Sequence, residues 1–270
     1  MIKRLILILS IFIASLNSSP VIDIVEELVD KDSFRQHRLL INKIFENEKR
    51  FMSGDEVKII SVLTKLKNNG ILKLFLNKPQ SIQISFKGGG NPIFFMKLIS
   101  DSLQDLGYFK YRVLEATRDS NGFLWTIEFR SDYILDPTLL YSSLAKKGCR
   151  IVEINRNALL QWSYSIDTTD AILNATKVVK KRSLRLKTPV FDYWLQIEKD
   201  SKNIEFTSIG NRWHPYIAFY DKNLFLIKLF KDDKKRTKLN LKIPENSEYL
   251  KVTDIYLLNN IKNGLRVKLR

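Results

Sequence analysis

The residues equipped for bond-making chemistry are few. The chain of 270 residues holds two histidines, His37 and His214, and one cysteine, Cys149. A Cys149–His214 pair would be a thiol nucleophile with its base, but it needs a third group to orient the imidazole and two distant segments to converge. His37 falls between charged residues on a predicted helix and reads as solvent-facing. Cys149 follows Gly148 and opens the apolar stretch Arg150 to Ile154, the setting of a buried, inert thiol. No serine sits in a G-x-S-x-G elbow. There is no H-E-x-x-H, no cysteine pair and no acidic calcium loop, so neither a metal nor another cofactor is expected. The carboxylate pairs Asp167 with Asp170 and Asp232 with Asp233 have the residue type for glycoside hydrolysis, yet both lie in turn-like sequence. Gly88-Gly89-Gly90 precedes Asn91-Pro92, where a helix start would attract an anion. The Lys-Ser/Thr of a phosphate loop is missing and Pro92 removes one amide donor, so turn chemistry explains these glycines. An enzyme such as a cell-wall hydrolase would need one of these acid pairs, or Cys149 and His214, to converge.

Binding is better supplied. Trp194, Trp213, His214, Tyr216 and Tyr220 cluster in the last third of the chain. Trp213-His214-Pro215 precedes a predicted strand, and aromatic faces beside polar groups stack on sugar rings. Trp213, His214 and Tyr216 are therefore candidate glycan or peptide contacts, set against the plainer reading that such side chains fill a core. The chain carries a formal net charge of +16. From Ala171 to Phe191 there is no acid, while Lys177, Lys180, Lys181, Arg182, Arg185 and Lys187 all fall there. That stretch reads as an anionic-partner contact or as a solvated connector. Abundant Lys, Asn and Ile also fit a compositional bias as the source of the charge.

These residues need elements to position them. Met1-Ile2-Lys3-Arg4, the apolar run Leu5 to Ala14 and the small polar residues after it describe a secretory signal over residues 1–17, with a retained anchor as the alternative. The run is too short to span a membrane, which takes about twenty apolar residues. Residues 20–70 read as a helical segment. Ser33 is the expected cap of its second helix, and Ser53-Gly54-Asp55-Glu56 a capping box for its third. Residues 80–168 alternate strand, helix, strand, strand, helix, strand, the βαββαβ order of a ferredoxin-like domain, with Leu159 to Ile166 as an added edge strand. A short helix is expected at Asp170 to Thr176, followed by the basic stretch of a connector over 171–187. Residues 188–270 give seven short strands separated by turn residues, a β-sandwich or a small barrel. The last of them, Leu265 to Leu269, reads as an edge strand with an outward basic row. The fold class is α+β.

Taken together, the leader, the Lys/Asn/Ile bias, the helical lead, the ferredoxin-like middle and the β-sandwich end resemble uncharacterised periplasmic proteins of the epsilonproteobacteria, some of them associated with flagellar motility. The resemblance implies a periplasmic address and raises envelope or flagellar scaffolding. Outside the cytoplasm the anionic partners of a basic chain are lipid headgroups, wall polymers and acidic protein faces, so no nucleic-acid partner is expected. The expected function is a non-enzymatic scaffold or adaptor whose partners are envelope or flagellar proteins. A peptidoglycan or anionic lipid surface would be the second contact, and a glycan-binding module is the alternative.

Overall fold

The computed structural model of the chain describes residues 19–120, 122–210 and 212–270. The leader read over residues 1–17 lies outside them. The described residues form a mixed α+β structure with five α-helices and sixteen strands in four sheets.

The lead is helical. α1 (Pro20–Leu28) is capped by Ser19, whose hydroxyl accepts from the Ile22 amide at 3.1 Å. α2 (Lys31–Ile44) is capped by Asp30, not by Ser33: the Asp30 carboxylate accepts from the Ser33 amide at 2.9 Å. That amide belongs to the first turn, where backbone donors lack intrahelical partners, and the cap must stand outside the helix to reach it. The stretch read as a capping box is instead a two-residue hairpin, β1 (Met52–Ser53) against β2 (Glu56–Val57), turned at Gly54 with φ +61°. α3 (Ile59–Asn68) starts after Lys58 without a side-chain cap. Val21, Val25, Leu28, Ile41, Val62, Leu63 and Leu66 are fully buried and share one core with the sheet that follows.

That sheet holds five strands. In chain order the elements are β3 (Phe75–Gly88), α4 (Pro92–Asp105), β4 (Arg112–Asp119), β5 (Gly122–Tyr133), α5 (Pro137–Ala145), β6 (Arg150–Ala158) and β7 (Gln161–Asp167). Side by side the strands run β4-β5-β3-β7-β6, with only the β3–β7 pair parallel. The strand expected at the edge, β7, is interior, and β6 takes the edge. Trp162, Tyr164 and Ile166 put three large buried groups on one face of β7, whereas β6 buries only Ile151 and Ile154 among its apolar positions. Asn91 caps α4 and Asp136 caps α5, each followed by proline at the first helical position. Gly88 is fixed by packing: a Cβ there would lie 2.2 Å from the Phe95 ring and 2.7 Å from the Ile166 carbonyl oxygen.

The remaining nine strands are β8 (Thr176–Val178), β9 (Ser183–Leu186), β10 (Tyr193–Ile197), β11 (Asn203–Ser208), β12 (Pro215–Tyr220), β13 (Leu226–Lys231), β14 (Lys238–Lys242), β15 (Tyr249–Asp254) and β16 (Leu265–Leu269). One sheet runs β13-β12-β15-β10-β8 and the other β14-β11-β16-β9. Leu195, Ile217, Phe219, Leu250 and Val252 of the first share a core with Ile204, Phe206, Leu265 and Val267 of the second. Residues 171–187 are therefore not a free connector. β8 pairs with β10, β9 pairs with β16, and Val178 and Leu186 are buried in the shared core. No helix forms over Asp170 to Thr176. β16 lies between β11 and β9 rather than at an edge, because its inward residues Leu265, Val267 and Leu269 are covered from both flanks. The two halves of the chain meet at the buried Leu173, Leu224 and Tyr249, against which Phe94 of α4 packs together with Ala175, Trp194 and Tyr220.

Candidate functional site

Each strand of the four-stranded sheet alternates, with apolar groups turned to the core and polar groups outward. β9 gives Arg185 outward, β16 gives Arg266 and Lys268, and β14 gives Lys238 and Lys242; all are exposed. Register aligns them into rows. Lys238, Thr207, Arg266 and Arg185 form one; Asn240, Glu205, Lys268 and Ser183 form the next; Lys242 and Asn203 begin a third, which Arg270 closes through backbone hydrogen bonds to Asn203. Glu205 is the one acid in these rows. It accepts Arg270 Nη2 at 2.5 Å and lies 3.4 Å from Lys238 Nζ. Arg185, Lys242, Arg266 and Lys268 have no carboxylate within ion-pair distance among the described residues. These rows are cationic and carry no aromatic side chain. They offer charge to an anionic layer but no stacking platform for bases.

The six basic residues expected to act together are divided. Arg185 stands on this face. Lys180, Lys181 and Arg182 form the turn that carries the chain from one sheet to the other, and Lys180 bridges to Leu269, beside the third row. The Lys180 amide donates to Glu198. Lys177 lies next to Gln196 on the other sheet, at the rim of a depression shared with Glu198, Asp200 and Glu248. Lys187 follows β9, and its carbonyl accepts from the Tyr193 hydroxyl. The face also gains Lys238, Lys242, Arg266, Lys268 and Arg270. The last three belong to the outward row read in the sequence, and the alternation of Lys238 to Lys242 carried the same signal for the first two.

Trp213 is not available to a glycan: it is fully buried, pinned on both backbone sides to Arg236 at 3.0 and 2.8 Å, with its ring 6.2 Å from Phe206. His214 is mostly covered, its ring 4.8 Å from the exposed Tyr256. Tyr216 is half-buried within β12. The organising group here is Asp254, whose carboxylate is wholly buried. It accepts from the amides of His214 at 2.8 Å, Tyr256 at 2.8 Å and Leu257 at 3.0 Å, and from Asn260 Nδ2 at 3.0 Å. Burial by itself would raise its pKa; the amide hydrogen bonds outweigh burial and hold it below the ordinary carboxylate value. This is a loop clamp, and sequence reasoning did not single it out.

The remaining chemical candidates resolve locally. Cys149 is buried, and burial pushes its thiol up to about 11, away from a thiolate. It lies in the first half of the fold, whereas His214 lies in the second and faces Asp254. Asp167 accepts the Thr169 amide and Arg150, and Asp232 accepts the Lys234 amide and Arg236, so both acids fasten turns and cross-links. Among the described residues no group of three or more His, Cys, Asp or Glu side chains gathers to hold a metal. No helix among them is long and apolar enough to cross a membrane.

One cleft is large. About 890 Å³ opens between the two halves, walled by Phe109 of the first and Phe191, Tyr193 and Trp194 of the second. Lys97 Nζ sits 5.1 Å over the Trp194 ring and pairs with Asp101 at 2.5 Å; Lys251 pairs with Asp192 at 2.7 Å. No protein-family model matches this chain, and no curated protein matches it.

Proposed function

We propose that this protein is a non-enzymatic periplasmic scaffold or adaptor of a bacterial envelope assembly, with flagellar motility as its most specific setting. In this reading residues 80–168 are a ferredoxin-like unit with a fifth strand, β7, inserted between β3 and β6, and the last nine strands are a β-sandwich. The outer face of the four-stranded sheet is the contact to an anionic lipid surface. The observation that carries the reading is the row structure of that face, where Arg185, Lys242, Arg266 and Lys268 stand on one side of the sheet without a carboxylate partner among the described residues. Near an anionic membrane each such cation contributes about 1 kcal/mol. Four of them give about 4 kcal/mol, a dissociation constant of roughly millimolar. A contact that weak holds only alongside a second one, which is how an adaptor works: lipid and protein partner together localise it.

Fractionation of native cells tests the address. Recovery with the envelope or periplasm supports it. Recovery from the cytosol with residues 1–17 still attached overturns it and returns the basic face to nucleic acid.

The glycan reading retains one supporting feature, the interdomain cleft. Its aromatic walls and paired charges suit a neutral ring bearing hydroxyls. Pull-down on purified peptidoglycan decides it. Retention that Trp194→Ala abolishes would favour the glycan module, and wild type left in the supernatant removes it.

A further inference from the structure

Among the described residues β13 is the outermost strand of its sheet, bonded to β12 on one side and to no strand on the other. The direction of its free groups follows from the ladder. The Asp232 amide donates to the Pro215 carbonyl at 3.0 Å, which makes Asp232 opposite Pro215 a hydrogen-bonded position. Antiparallel ladders alternate, so Phe230 and Lys228 also turn their backbone groups to β12. Leu229 and Lys231 therefore direct theirs to the open side. The side chains beside that edge are unusually apolar: Phe225, Leu226, Ile227 and Leu229 are between 38% and 57% exposed. Exposed apolar edges invite another strand, and folds normally blunt them. Here the only blunting devices are Lys228, Lys231 and a register shift at Phe219/Tyr220.

Those two lysines select the guest. A second copy of β13 aligned antiparallel can present only its own outward-directed Leu229 and Lys231. Leu229 facing Leu229 leaves Lys228 opposite Phe230 and Lys231 opposite Ile227. Lys231 facing Lys231 sets like charges directly opposite, which is destabilising. Leu229 facing Lys231 sets Lys228 opposite an Asp232 that Arg236 already holds at 2.6 Å. An extended segment with acids opposite both lysines and apolar residues opposite Leu229 and Phe230 satisfies every position. The required pattern, acid–apolar–apolar–acid, is the same in either strand direction.

We infer that β13 is an acceptor edge for an extended segment of a partner protein carrying acid–apolar–apolar–acid. The inference deepens the scaffold reading by naming its protein contact. It uses a different sheet from the lipid-facing surface, so the two fail independently.

The test titrates a capped peptide containing Glu-Val-Val-Glu, and its Lys-Val-Val-Lys counterpart, into the isotope-labelled full chain, with amide exchange followed by NMR. The Glu peptide is expected to bind at least tenfold more tightly and to protect the Leu229 and Lys231 amides, leaving Phe230 and Lys228 as protected as before. Leu229→Pro removes an amide that β12 does not use, so the sheet is preserved while affinity falls at least tenfold. Because a proline is a severe probe, the doubly reversed Lys228→Glu/Lys231→Glu chain provides a second arm and is expected to prefer the Lys peptide. Equal binding of the Glu peptide to wild type and Leu229→Pro, protection confined to other strands, or no binding at all overturns the inference. Concentration-dependent self-association that Leu229→Pro abolishes also overturns it, assigning the edge to a second copy.

Discussion

Arg266 stands directly across the β9–β16 ladder from Arg185, two guanidinium groups on the same outward row. Like charges so placed cost about 0.2–1 kcal/mol, and no carboxylate lies between them to offset it. Arg266→Thr is expected to raise stability by up to about 0.5 kcal/mol in urea titration. The same variant is expected to weaken adsorption to anionic vesicles. A variant that loses stability instead would mean that Arg266 has a structural partner.

Trp213 belongs to the core, so its truncation is a packing lesion. Trp213→Ala is expected to cost about 3–5 kcal/mol, the usual penalty for emptying a large aromatic site. Chemical denaturation with a matched Tyr216→Ala control measures it. The half-exposed tyrosine is expected to cost far less. A small penalty at Trp213 would reinstate it as a surface contact.

Asp254 gives an acid-sensitive contribution with a definite sign. Its folded pKa lies below the ordinary 3.8, because burial, which would raise it, is outweighed by the bonds from His214, Tyr256, Asn260 and Leu257. Its stabilisation is therefore complete above the unfolded value and is lost as pH falls through the folded one. Asp254→Asn is expected to cost about 2–3 kcal/mol near neutrality by setting an amide NH₂ against buried donors. The difference between wild type and variant is expected to be flat from neutral pH down to about 5, then to shrink. A difference that grows on acidification would contradict the clamp.

Lys147 and Asp105 join α5's C-terminal turn to α4 at 2.6 Å, with Ser143 beside them. The lysine side chain is 6% exposed and the aspartate 54%. Removing the partner of a buried cation is worse than removing the cation itself. Asp105→Ala is expected to cost about 1–3 kcal/mol, reduced by water reaching the exposed side. Lys147→Met is expected to cost less than about 1 kcal/mol. Urea midpoints of the two variants check the order; the reverse order would show that the carboxylate is dispensable.

Local signals in the chain were readable where a single turn decides them. Asn91-Pro92 and Asp136-Pro137 open helices as their spacing requires, and the alternation of Tyr193 to Ile197 and Leu265 to Leu269 marks strands with those bounds. Strand neighbours were not readable, because pairing is settled by which faces need cover across the whole sheet. Hence β7 displaced β6 from the interior, β16 moved off the edge, and the supposed connector supplied β8 and β9. Trp213 misled for a related reason: its place before Pro215 suggests a loop, but Arg236, distant in sequence, and Phe206 of the neighbouring strand β11 close over it. The basic face was visible only as separate alternating strands, each without its neighbours.

The outer face of the four-stranded sheet is proposed to hold an anionic lipid surface. Flotation with phosphatidylglycerol-rich vesicles, repeated across salt concentration, measures that contact. Binding is expected to weaken steeply with salt, to be absent on phosphatidylcholine, and to fall at least tenfold in an Arg185→Ser/Arg266→Ser/Lys268→Ser chain that melts like wild type. Equal flotation of that chain and wild type would contradict it.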